Sequence, residues 1–217
     1  EALIDAFASG QDIHDRTALI VFGPASGLDK HELRRRAKIV NYALLYGKTA
    51  FTLAKDIGVT KEAAQEFIDA YFAGFPKVRT FIEETLRRSR ESGVVKTMFG
   101  RRRLDAELNS RNGQIRSAAE RVTVNMPIQG TAADILKRAM IALHSELPRR
   151  GFKTRMILTV HDELLFEAPQ DEAERAAESV REQMEGAAAL KVPLPVDGGT
   201  AATWRAATPY RESAGLR

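Results

Sequence analysis

The sequence predicts an α+β protein: a mainly helical first part, followed by a small antiparallel sheet that is backed by helices. Three observations predict this class. Apolar residues recur at helical spacing over much of the stretch from residue 29 to residue 147. Two β-rich runs, residues 154–160 and 163–168, then follow each other closely, as in a hairpin. The composition, 44% hydrophobic and 29% charged over 217 residues, is ordinary for a globular protein.

The helices of the first part are predicted from apolar stripes and from the residues that start and stop helices. Glycine follows two of the stripes, Thr60 has the side chain of an N-cap, and proline suits a first helical turn. The predicted helices are residues 29–45 (before Gly47), 49–57 (before Gly58), a segment after Thr60, and one from Pro76 toward Gly93.

The second part is predicted from a change of period. Residues 93–100 alternate as a short strand does, and Pro127 is expected to separate a helix over 110–125 from a long helix over 129–147. After the hairpin we expect a helix over 171–184, a short strand near 194–196, and a loose tail over 205–217.

Composition excludes several kinds of site. The chain has no cysteine, which removes disulfides, thiolate catalysis and cysteine-ligated metals. It shows neither a signal peptide nor an apolar run that could span a membrane, and it opens without Met, which is compatible with a piece of a longer protein. The net charge of +4 is too small to prove a polyanionic partner, so the position of the charges matters more.

One face of the helix over 29–45 carries Arg34, Lys38, Tyr42 and Tyr46 at four-residue spacing. Cations one turn apart suit a run of phosphates, and an aromatic ring one turn further on suits a base or a sugar. On periodicity alone, the pattern fits better a helix whose basic end is solvated and whose aromatic residues lie in the core, since basic helix faces are common. The following Gly-Lys-Thr is no P-loop, because that motif needs glycine where Tyr42 stands.

The predicted hairpin carries His161, Asp162 and Glu163 at its tip. Carboxylates in such a place are either solvated or bound to a cation, and hard oxygen ligands suit Mg²⁺. A polar turn would look the same, and two ligands do not complete a two-metal site.

Arg121, Asn125 and Gln129 repeat the four-residue spacing on the next helix, where such side chains could read acceptors shared by all base pairs in a minor groove. Helix capping or simple surface polarity would explain them as well.

The basic clusters of the sequence are rich in arginine, which favours phosphate recognition, although each could be a solvated surface. They are residues 34–36, 87–88, 101–103 and 149–155.

In combination, these motifs resemble DNA polymerase family A, the bacterial DNA polymerase I family. Residues 34–47 resemble the family's fingers motif B, and residues 160–163 resemble its palm motif C. Residues 119–134 and the Phe-Gly-Arg-Arg-Arg run over 99–103 match further segments, in the family's order, within residues 1–204.

The resemblance implies a role for each residue. Lys38 would contact the α-phosphate of an incoming deoxynucleotide, His14 and Arg34 would hold the outer phosphates, and Tyr42 would pack on sugar and base. Tyr46 would occupy the template-base site. Asp162 would be a ligand of catalytic Mg²⁺, and Glu163 would lie close to the metal site, which holds two ions when complete. The residues implied to contact the primer terminus and minor groove are Arg121, Asn125, Gln129 and His161.

The resemblance also implies an organisation: fingers helices over 1–93, with the nucleotide-binding helix over 29–46, and the C-terminal part of the palm over 94–204. It predicts a monomer in a bacterial or phage-infected cytoplasm that acts on primer–template DNA and deoxynucleoside triphosphates in replication or repair. The family's motif A, with its first catalytic aspartate, does not occur in the sequence and would lie just before Glu1, so the chain alone is expected to be inactive. Ala43 stands where the family usually has glycine.

Two other functions remain open from the residues. A metal-dependent phosphohydrolase could use the His161–Asp162 pair, but would want further histidines at ligand spacing. A non-catalytic nucleic-acid-binding module would need only the basic clusters, and metal-dependent nucleotide binding would distinguish it from a polymerase.

Overall fold

The computed structural model describes residues 2–23 and 27–207, and it confirms the α+β class. The chain divides into two compact units, Glu1–Thr131 and Ala132–Arg217. The helices of the described residues are α1 (Ala2–Ala8), α2 (Ile13–Phe22), α3 (Lys30–Leu45), α4 (Ala50–Ile57), α5 (Lys61–Gly74), α6 (Pro76–Ser92), α7 (Gly113–Arg149) and α8 (Ala173–Glu185). The strands are β1 (Val94–Lys96), β2 (Arg102–Leu104), β3 (Arg155–Val160) and β4 (Glu163–Glu167).

The predicted helix starts of the first unit are confirmed because they depend on local capping. Asp29 accepts a hydrogen bond from the N–H of Glu32 at 2.9 Å, and Thr60 accepts one from Ala63 at 3.2 Å. Thr49 forms a capping box at the start of α4. Pro76 occupies the first turn of α6.

The core of the first unit lies among α2, α3, α4 and α5. Val40 from α3, Leu53 from α4 and Tyr71 from α5 are almost completely buried there, and Phe75 closes the cluster. Because α3 buries Ala37, Val40, Ala43 and Leu44, its opposite face is left toward solvent.

Pro127 does not break the helix, contrary to the prediction: α7 runs without interruption from Gly113 to Arg149. A proline removes one intrahelical hydrogen bond, but the neighbouring turns are anchored by packing. Thr123, one turn earlier, is buried and donates from its hydroxyl to the Asp105 carboxylate at 3.0 Å. Thr131, one turn later, is also buried and accepts from the N–H of Met98 at 2.9 Å.

Two further predictions need correction. The strand expected over 93–100 is limited to β1, because the chain turns at Gly100 (φ 86°) and returns as β2, with Val94 opposite Leu104. The strand expected near 194–196 is not a strand; Val196 instead donates its N–H to Glu185 at 3.3 Å. Trp204–Ala206 form one 3₁₀ turn, and the rest of the predicted tail, from residue 208, lies outside the described residues.

The predicted hairpin of the second unit is confirmed. Strands β3 and β4 pair antiparallel, with Val160 opposite Glu163, so His161 and Asp162 form a two-residue turn. The register shifts at Ile157, which is exposed. Within the residues that the structure describes, no helix has the length and apolar character needed to cross a membrane.

A buried carboxylate anchors this hairpin to α8. Glu172, directly before α8, accepts from the hydroxyl of Thr154 at 2.7 Å and from the N–H of Lys153 at 2.8 Å. The Thr154 hydroxyl is the main reason that the pKa of Glu172 lies below its ordinary value of 4.5, although burial acts in the opposite direction. A carboxyl with a depressed pKa stabilises the fold above pH 4.5 and loses that contribution as the pH falls through its folded value.

Replacing Thr154 by valine should therefore lower the midpoint of thermal unfolding at pH 7 by roughly 3–6 °C, because the buried carboxylate loses its strongest donor. The difference from the parent chain should shrink as the pH falls through the depressed pKa of Glu172 in the parent, because the carboxyl is then protonated in both proteins. Circular dichroism melts of the chain at a series of pH values from 7 downward measure both effects, with Thr154→Ser, which keeps the hydroxyl, as the control. A difference that stays equal throughout the series would contradict this role.

Candidate functional site

The candidate site begins on the solvent-facing side of α3, where Arg34, Lys38 and Tyr42 lie on successive turns and Tyr46 caps the C-terminal end. Tyr42 and Lys38 are exposed, and Tyr46 is partly exposed. An open groove of 490 Å³ follows this face. It is lined by Arg35, Lys38, Ile39, Tyr42, Ala43, Tyr46, Lys48 and Asp56.

The cations of α3 differ in their partners. Glu32 accepts from both Arg35 and Arg36 at 2.7 Å, and these hydrogen bonds lower its pKa to about 2. Within the part of the chain that the structure describes, no carboxylate lies within 4.0 Å of the Lys38 ammonium. Lys38 is therefore available to an anion that enters the groove.

Arg34 is held by Asp12, the residue that caps α2. One oxygen of Asp12 accepts from the N–H groups of His14 at 2.7 Å and Asp15 at 3.3 Å, and the other accepts from Arg34 at 2.6 and 3.0 Å. Burial acts to raise the pKa of Asp12, but Arg34 and the two backbone donors outweigh it and leave the pKa below its ordinary value. The same carboxylate thus fixes both Arg34 and the helix start that carries His14.

Aromatic rings continue the face beyond Lys38. The ring centroids of His14 and Tyr42 lie 6.0 Å apart, and those of Tyr42 and Tyr46 lie 6.3 Å apart with the rings nearly parallel. The Tyr46 hydroxyl accepts from the Gln129 amide at 3.2 Å. The structure therefore brings His14, Tyr42, Tyr46 and Gln129 into one continuous row.

The three polar residues predicted on α7 lie on successive turns, because the helix continues through Pro127. Arg121 packs beside the end of α3: its Cγ would lie 3.3 Å from a Cβ placed on Gly47, which has φ 66°. Its guanidinium donates to Ser117 at 3.0 Å. Asn125 is partly buried and Gln129 is exposed.

The carboxylates predicted as metal ligands lie at the tip of the β3–β4 hairpin in the second unit. His161, Asp162 and Glu163 are all exposed, and His161 has φ 54°, a conformation that residues other than glycine seldom adopt. The favoured two-residue hairpin turns require a positive φ at this position, so the turn itself accounts for the conformation. No cation lies within 4.0 Å of either carboxylate among residues 2–23 and 27–207.

The donor set at this tip fits Mg²⁺ in kind, since carboxylate oxygens are hard ligands and these are open to solvent. It is incomplete in number: over the described ranges, no three His, Asp or Glu residues group as metal ligands do. Asp162 and Glu163 thus offer two adjacent carboxylates to a cation at the end of the hairpin.

Two residues of the first unit were not predicted as part of the site. Asp12 holds Arg34, and Asn41, which is buried, contacts His14 at 3.0 Å. Asp12 has a recognisable N-cap position before α2. Asn41 has no signal in the sequence, because its contact depends on how α2 packs on α3.

The chain is similar to bacterial DNA polymerases over nearly its whole length. The chain is 47% identical over 204 residues to DNA polymerase I of Pseudomonas aeruginosa, covering 94% of this chain and 22% of that protein. It is 48% identical over 208 residues to the thermostable DNA polymerase I of Thermus thermophilus, covering 95% and 25%. The chain thus spans about a quarter of the length of these relatives.

Among solved structures, the fold resembles the POL domain of Pol1 from M. smegmatis in complex with DNA primer-template and dNTP. The TM-score is 0.82 at 42% identity, with 88% of this chain and 34% of that chain covered. Residues 1–206 also match the sequence profile described as DNA polymerase family A. Because this match takes in nearly the whole chain, the protein belongs to DNA polymerase family A.

Proposed function

We propose that the chain forms the fingers and the C-terminal part of the palm of a DNA-directed DNA polymerase. In that enzyme a primer 3′-hydroxyl attacks the α-phosphate of a deoxynucleoside triphosphate and pyrophosphate leaves. The observation that carries the proposal is the groove face of α3, where Lys38 has no carboxylate partner among the described residues and the near-parallel rings of Tyr42 and Tyr46 follow it. A cation followed by flat aromatic rings complements the phosphates and the base of a nucleoside triphosphate.

The proposed organisation assigns residues 1–93 to the fingers, with the nucleotide-binding helix over 29–46, and residues 94–204 to the palm. Three groups bind the triphosphate: Lys38 at the α-phosphate, and Arg34 and His14 at the outer phosphates. Tyr42 packs against sugar and base, and Tyr46 occupies the template-base position until the template enters. The hydrogen bond from Gln129 to the Tyr46 hydroxyl supports a resting position for that ring.

Contacts with the primer–template are proposed for Arg121, Asn125 and Gln129 on α7 and for His161 on the hairpin. Their shared property is that they offer hydrogen bonds without distinguishing one base pair from another, as minor-groove acceptors allow. Arg121 and Gln129 both lie beside the end of α3. DNA contacts of this kind would therefore adjoin the position of Tyr46.

Asp162 and Glu163 are proposed as ligands of catalytic Mg²⁺, together with a ligand from outside these residues. When bound, two such ions lower the pKa of the attacking hydroxyl and stabilise the leaving oxygens. The chain's own contribution is to hold two carboxylates on a tight turn, free of cationic partners within the described residues. Lys38 acts at the reacting phosphate, where negative charge develops.

The partners proposed are primer–template DNA and deoxynucleoside triphosphates, with the enzyme working as a monomer in the cytoplasm. The M. smegmatis polymerase domain was solved with DNA primer-template and dNTP bound, and the relatives described above are bacterial. Participation in DNA replication or repair follows from the same proposal.

Tyr42 offers a test of nucleotide contact. Family resemblance implies that tyrosine here permits dideoxynucleotides, because the phenol supplies a hydroxyl where the substrate lacks one. In the polymerase that contains this chain, Tyr42→Phe should therefore restore discrimination against dideoxynucleotides by roughly tenfold or more, the value of a hydrogen bond to a charged group. Competition between deoxy- and dideoxynucleotides in primer extension measures the ratio. An unchanged ratio would remove Tyr42 from the sugar site.

A further inference from the structure

A short chain of hydrogen bonds runs from the interior of the first unit to His14. The hydroxyl of Thr17 donates to the side-chain oxygen of Asn41 at 3.1 Å, and the Asn41 amide lies 3.0 Å from Nδ1 of His14. Thr17 is completely buried and Asn41 is 7% exposed. Neither side chain can reach solvent freely, so their orientation is set by this network.

The chain of hydrogen bonds has a direction. An amide nitrogen can only donate, so Nδ1 of His14 must accept from Asn41. In this orientation the amide oxygen lies 3.1 Å from the Thr17 hydroxyl, which can donate to it. A neutral imidazole whose Nδ1 accepts must carry its proton on Nε2.

We infer that Asn41, held by Thr17, is a positioning residue that fixes the Nε2–H tautomer of His14, so that the other edge of the ring offers a donor to a phosphate oxygen. The inference rests on the proposed function, in which His14 contacts an outer phosphate of the nucleotide. Asn41 lies on α3, the helix that also carries Lys38, whereas His14 lies on α2. The network therefore fixes the orientation of the His14 ring on α2 relative to Lys38 on α3.

Burial and the neighbouring cations together favour the neutral form of the His14 ring. Burial is the largest effect and lowers its pKa, and the cations Arg34 and Lys38 lower it further. Asp12 and Asp15 act in the opposite direction without prevailing. A neutral ring with a fixed N–H donor binds phosphate without first taking up a proton, so His14 should add little pH dependence to nucleotide affinity above its ordinary pKa of 6.5.

The tautomer can be measured without any activity. In the chain labelled with ¹⁵N-histidine, two-dimensional NMR should show the Nε2–H form for His14, assigned by comparison with His14→Gln. Asn41→Asp, which is nearly isosteric, replaces the donor by an acceptor, and it should move the proton to Nδ1 or leave the ring doubly protonated. Thr17→Ser keeps the hydroxyl and should leave the signal unchanged. The Nδ1–H form in the parent chain would overturn the inference.

The consequence for the nucleotide is tested in the polymerase that contains the chain. Asn41→Asp should raise KM for the nucleotide roughly tenfold at pH 8, with a smaller effect on kcat, and the loss should diminish at pH 6, because the added carboxylate favours protonation of the variant's ring on both nitrogens. Thr17→Ser should match the parent enzyme. A loss that is equal at both pH values would indicate damage to packing and would overturn the positioning role.

The same experiments separate this inference from the proposed function. If NMR shows the Nε2–H tautomer and its loss in Asn41→Asp, the control of the tautomer by Asn41 is supported, and the kinetics then decide whether that control serves nucleotide binding. If His14→Gln also leaves KM unchanged, the assignment of His14 to the phosphates fails instead.

Discussion

Lys38→Ala should lower kcat/KM for nucleotide incorporation roughly 30- to 1,000-fold in the polymerase that contains this chain, while affinity for primer–template DNA changes little. The expected loss corresponds to about 2–4 kcal/mol of transition-state stabilisation, the usual cost of removing one donor at a developing oxyanion. Lys38 has no carboxylate within 4.0 Å among the described residues, so nothing there competes with the phosphate for it. DNA binding is spread over many phosphate contacts, and the loss of one should not abolish it.

Lys30→Ala is the matched control for this prediction. Lys30 lies on the same helix, is highly exposed, and contacts Asp15 only at 3.7 Å. Lys30→Ala makes the same change in net charge as Lys38→Ala, but outside the groove. Because an exposed ion pair contributes little free energy, kcat/KM should remain within about twofold of the parent value. Single-turnover incorporation and a DNA titration distinguish the outcomes. Equal losses in nucleotide use and DNA binding for Lys38→Ala would contradict the assignment to the α-phosphate.

Most of the fold could be predicted because its signals are local. The caps at Asp29, Thr49 and Thr60 and the alternation of the β3–β4 hairpin are properties of a few neighbouring residues. The failures arise where packing decides. Pro127 is tolerated because buried threonines anchor the turns on either side of it, and β2 consists of exposed residues with no alternating pattern.

The candidate site divides in the same way. Spacing along α3 predicted that Arg34, Lys38 and Tyr42 share a face, since that follows from helical geometry alone. The polar partners could not be predicted, because Asp12 reaches Arg34, and Asn41 reaches His14, only through the packing of α2 against α3. Spacing alone does not indicate which cation is paired, and this distinction is what marks out Lys38.

Asp162→Ala should reduce templated nucleotide incorporation roughly 10³-fold or more in the polymerase that contains the chain, because a metal ligand at the reacting phosphate would be lost. Asp162 lies in a two-residue turn beside Glu163, and no three His, Asp or Glu residues over 2–23 and 27–207 form a group that could hold a metal ion. Family resemblance implies that the further ligand is the aspartate of motif A. Glu167→Ala, on the same hairpin but in an exposed pair with Arg155, should leave the rate nearly unchanged.

Primer extension tests the central claim that this chain supplies the nucleotide-binding face and part of the metal site of a DNA polymerase. The gel compares the 217-residue chain, the polymerase that contains it, and the Asp162→Ala and Glu167→Ala variants of that polymerase, each with and without Mg²⁺. The expected result is Mg²⁺-dependent extension by the polymerase and by Glu167→Ala, and none by Asp162→Ala or by the 217 residues alone. Extension that survives Asp162→Ala, or robust synthesis by the chain alone, would contradict the account.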